Sequence, residues 1–113
     1  MAWGIPLILA NVLIHVIGLN LIGFFVLGNY TRILRRGNAF GDFIVIVGVT
    51  ALLAISLHAL ESFTWGAAYL LLGALHNEKT AMLYSLGAMT TYGHASVHLS
   101  PDWELLGAME ALQ

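Results

Sequence analysis

Residues 51–72, ALLAISLHALESFTWGAAYLLL, form an apolar run with two ionisable side chains, His58 and Glu61, near its centre. No proline interrupts it, so nothing in the run breaks a helix. His58, Glu61, Ser62, Trp65 and Tyr69 recur at spacings of three and four, which places them on one stripe of a helix whose other faces are greasy. A helix of this kind belongs in lipid with the polar stripe turned toward protein. Ionisable groups at that depth are costly unless paired, so His58 and Glu61, one turn apart, are expected to satisfy each other or a neighbouring helix.

The rest of the chain is as poor in charge. Of 113 residues, 59% are hydrophobic and 9% charged, and the mean hydropathy is +0.86. A soluble domain of this size needs more charge to cover its surface. The expected class is an all-α integral membrane protein of one domain, with the lipid bilayer as its principal solvent. Without cysteine, the chain has no disulfides, thiol catalysis or Cys-ligated metal. Four basic residues and a net charge of -2 exclude a nucleic-acid surface. The N-terminus has no basic region of the kind that opens a signal peptide.

In chain order, the first span is expected over about 3–28. Trp3 suits an interface and Pro6 an early helical turn. Asn11, His15 and Gly18 recur at i, i+4, i+7 and mark the face that packs on other helices. The loop 29–42 carries Arg32, Arg35 and Arg36, three of the four basic residues. By the positive-inside rule it is cytoplasmic, and the N-terminus lies outside. The second span covers about 43–72. Asn77 is a good N-cap, and Glu78 suits the positive end of a second, shorter helix that runs to about Met89. Twelve such residues rise only about 18 Å, too short to cross. With the loop after it, the segment 77–99 reads as a re-entrant hairpin. Ser100, Pro101, Asp102 and Glu104 then have the pattern of a helix start, so 101–113 reads as the beginning of a third transmembrane helix.

This order of elements, with HALESFTWGAAYLLLGAL at 58–75, AMLYSLGAMTTYGHASV at 81–97 and WELLGAMEAL at 103–112, resembles the pore module of the bacterial ion channel family with a potassium-channel-like pore. The similarity runs from about 11 to 113. The resemblance implies two transmembrane helices flanking a pore helix and a filter whose backbone carbonyls replace an ion's hydration shell. The family's filter reads T-T-x-G-Y-G-D. Thr90, Thr91 and Gly93 match it, with Tyr92 at the variable position, whereas His94, Ala95 and Ser96 stand where tyrosine, glycine and aspartate are expected. A Cβ at Ala95 penalises the backbone conformation that the second glycine serves. The resemblance also implies a full inner helix, of which 101–113 is the first part.

Two functional readings follow. The first is a non-catalytic, channel-like accessory subunit, packed into a larger energy-transducing or light-harvesting complex of the bacterial inner membrane. The second is a subunit of a tetrameric cation channel with Thr90, Thr91, Tyr92, Gly93, His94 and Ala95 as an altered filter. An enzyme is not expected: His58 with Glu61 has the form of an acid/base pair, but no nucleophile, metal set or substrate pocket is readable beside it. No cofactor is expected. Ala54 and His58 are spaced as in the A-x-x-x-H pattern of antenna helices, which they resemble, but Glu61 competes for the same imidazole.

Overall fold

The computed structural model describes residues 3–33, 39–90, 92–93 and 97–112. These form four helices, α1 (Gly4–Ile33), α2 (Ala39–Leu71), α3 (Glu78–Met89) and α4 (Glu104–Glu110), and no strand is present among the described residues. The long axis of 58 Å is set by α2, whose 33 residues rise about 50 Å.

Two helices, α1 and α2, are long and apolar enough to cross a membrane, and only 6% of the most apolar window of each is buried within the molecule. They lie antiparallel: His15 meets Glu61, and a Cβ on Gly18 would collide with Leu57, so positions rise on one helix as they fall on the other. Both helices reach into the segment expected as a 29–42 loop. Helix α1 continues to Ile33 because no glycine or proline intervenes after Gly28 and the Asn29 amide donates to its own helix at Phe25 O, 2.8 Å away. Helix α2 already begins at Ala39, with Asp42 in its first turn, where a carboxylate complements the helix dipole.

The core sits at one end. Trp65 and Tyr69 of α2, Leu75, Ala81 and Tyr84 of α3, Leu99, and Leu106 of α4 form one buried cluster. Helix α2 stops at a left-handed Gly73, φ 72°, which lets the Ala74 N–H reach back to Tyr69 O at 2.9 Å. Asn77 then caps α3 as its residue type suggests, accepting from the Thr80 N–H at 3.2 Å. The return helix starts later than its sequence pattern indicates. Residues 101–103 are a turn, and it is the Ser100 backbone carbonyl that receives the Trp103 and Glu104 N–H groups. Helix α4 begins only at Glu104, with Trp103 as a cap lacking any side-chain bond. Pro101 and Asp102 therefore shape a turn and do not open the helix.

Helix α4 packs on α3 and on the beginning of α1. Trp3 and Trp103 line one small cleft there, so two tryptophans mark the same end of the molecule. Arg32 lies in the last turn of α1, at the opposite end.

Candidate functional site

The polar stripe of α2 divides into two clusters that share a helix face but have different partners. The first is centred on Glu61, which is 1% exposed. His15 Nδ1 of α1 stands 2.6 Å from Glu61 Oε1, and His58 Nδ1, one turn back on α2, stands 3.0 Å from Oε2. Toward an ionised carboxylate, which only accepts, each Nδ1 must carry the hydrogen. The shorter contact crosses between helices. Glu61 thus pairs both within α2 and across to α1, and the imidazole rings stand 5.7 Å apart between centroids.

His15 and Gly18 turn to α2, and Asn11 lines the cleft beside them. Asn11 is buried at 3%, His15 reaches Glu61, and Gly18 admits the Leu57 side chain. The three ligand-type residues His15, His58 and Glu61 line a cleft of about 300 Å³ together with Asn11, Met89 and Met109. Their donor atoms lie within 4.8 Å of one another, close enough for the three to hold a metal ion together.

The second cluster is centred on Glu110, at 0% exposure. Tyr69 OH donates to its Oε2 at 2.6 Å, and Ser85 Oγ donates to its Oε1. Ser85 Oγ also lies 2.8 Å from Ser62 O of α2. The Tyr84 ring stands edge-on to Tyr69 at 5.3 Å and 82°. Gly107 of α4 faces the Tyr84 hydroxyl so closely that a Cβ would overlap it. One carboxylate therefore ties α4 to both α2 and α3.

Of the stripe His58, Glu61, Ser62, Trp65 and Tyr69, the last four are buried, whereas the His58 side chain is 59% exposed. Sequence reasoning missed Glu110 and Ser85. An isolated glutamate in an otherwise apolar WELLGAMEAL segment was the available signal, since an acid in apolar surroundings requires a partner.

In the filter-like stretch, Thr90 is the C-cap of α3, and its hydroxyl donates to Leu86 O at 2.6 Å. Tyr92 is exposed at 85%, and its N–H lies 3.4 Å from Thr90 Oγ1. Gly93 has φ 73°, in the left-handed region that a glycine occupies without strain. Thr91, His94 and Ala95 lie outside the described residues, as do Arg35 and Arg36 of the expected topology signal. His98 is exposed and takes no part in either cluster.

Comparison of the chain with protein-family models, with curated proteins and with solved structures gives no match.

Proposed function

We propose that this chain is a non-catalytic, channel-like membrane subunit that serves as a structural component of a larger complex in a bacterial inner membrane. The observation that carries the reading is the nearly bare pair of long helices. Exposed apolar side chains cover α1 and α2 along most of their length, among them Leu9, Leu13, Ile17, Phe24, Leu52, Ile55 and Phe63. Lipid or neighbouring helices must cover such a surface.

The polar side chains on those faces support the same reading. Asn20, Asn29, Thr50, Ser56 and Thr64 each donate to the carbonyl four residues back on their own helix, which satisfies the three hydroxyl donors and one donor of each amide within the helix itself. Trp3 and Trp103, together at one end, fit an interfacial aromatic belt, and Arg32 at the other end fits the cytoplasmic side. On this reading the N-terminus is outside, and α3 with its following loop is a re-entrant hairpin held in place by the Glu110 cluster.

A second reading, a subunit of a tetrameric cation channel, is favoured by one observation. Gly93, at the position of the first filter glycine in the resembling family, has the left-handed backbone that a carbonyl-lined loop uses. Purification from the native membrane in mild detergent separates the two readings. A single copy travelling with a large complex is the expected result. A homotetramer that carries cation flux, reduced by Gly93→Ala, would replace the first reading with the second.

A further inference from the structure

We infer that His15, His58 and Glu61 form a binding site for one divalent transition-metal ion, of the zinc type, between α1 and α2. Two imidazoles and one carboxylate are the donor set that zinc takes readily, leaving a fourth position for water or another ligand. The three side chains come from two helices, and their donor atoms already lie within 4.8 Å of one another. Donors on a tetrahedral zinc, each about 2.0–2.1 Å from the ion, stand about 3.3 Å apart. The two rings now sit on different Glu61 oxygens, His15 Nδ1 at 2.6 Å from Oε1 and His58 Nδ1 at 3.0 Å from Oε2, so the half-open rings must turn to bring both nitrogens to that spacing around one oxygen, within the 4.8 Å that the three groups already span.

The surroundings fit an ion as well as the donors do. Glu61 is almost fully buried, while the side chains of His15 and His58 are 39% and 59% exposed, so the carboxylate is fixed and the rings can turn. All three face the 300 Å³ cleft, which leaves room for a fourth ligand. A buried carboxylate in apolar surroundings calls for a partner, and a divalent cation would supply positive charge at the point where the two ring nitrogens now meet it. Ligation through Nδ1 moves each ring proton to Nε2, a tautomer change open to neutral histidine. Because the site joins α1 to α2, the ion would clamp the two long helices.

The test is Co²⁺ binding to the full chain, purified in mild detergent without a polyhistidine tag and followed by visible absorption. The expected result is one equivalent per chain with the intense bands of a four-coordinate ion, displaced by Zn²⁺. His58→Gln is the deciding variant, because its exposed ring can be replaced without disturbing the helix. It should weaken binding by more than about 100-fold, beyond the effect of an outer-shell change. His15→Gln and Glu61→Gln should do the same, with helicity checked by circular dichroism. His76→Gln and His98→Gln should leave the affinity unchanged. Absence of saturable Co²⁺ uptake, or uptake that His58→Gln leaves intact, would overturn the site.

Discussion

Glu61 and Glu110 are buried to almost the same degree, at 1% and 0% exposure, yet the fold treats them in opposite ways. Glu110 is enclosed by neutral hydroxyl donors on α2 and α3, and its partners Tyr69 and Ser85 are themselves buried. Glu61 is met by two half-open imidazoles on the wall of a cleft. A carboxylate enclosed by buried hydroxyls makes an anchor, whereas one met by half-open imidazoles, which can also take a metal, makes a site. The anchor holds α4 to α2 and α3, and the cleft lies where α1 meets α2.

Changes at the two acids should separate these roles. The largest effect is expected from the double replacement His15→Leu and His58→Leu, which strands a buried carboxylate and should destabilise the chain by about 3–5 kcal/mol in detergent thermal unfolding. Full stability in the double variant would mean that Glu61 needs no partner. Next comes Glu110→Ala, which leaves two buried hydroxyls without their acceptor, at about 3 kcal/mol. Its signature is regional: protease cleavage should increase near 97–103 while the α1–α2 pair stays protected, and uniform loosening would refute the local anchor.

Gly107→Ala should cost roughly 1–3 kcal/mol, because the added Cβ meets the Tyr84 hydroxyl and forces α4 off α3. Combined with Tyr84→Phe, which removes the obstructing oxygen, most of that loss should return. The smallest effect is His58→Leu alone, under about 1 kcal/mol, since its ring is largely exposed and His15 remains. The gap between this single change and the double one measures how far the two histidines substitute for each other.

The same contrast explains what was readable in advance. Asn77 as a cap, Glu78 in the first turn and the half-length of α3 follow from local chemistry, and the helix forms as that chemistry dictates. The face shared by Asn11, His15 and Gly18 was legible from spacing alone. Its target was not, because periodicity tells which residues share a side and says nothing about which helix comes to meet it. Ser100 misled for a related reason: its residue type suits an N-cap, but the turn through Pro101 uses its carbonyl and delays the helix to Glu104.

By itself, the sequence determined that four helical segments form, though not where α1 ends or where α2 and α4 begin, together with the apolar character of the two long ones and the polar stripe on α2, since each depends on contacts within a few residues. Only the tertiary structure decided that Glu61 reaches across to His15 and that Glu110 ties α4 to α2 and α3. Those pairings span 46 and 41 positions, and local preferences carry no information over such distances. They exist because an apolar surrounding penalises every unpartnered acid, and the packing of α1, α3 and α4 on α2 is the arrangement that gives both acids partners.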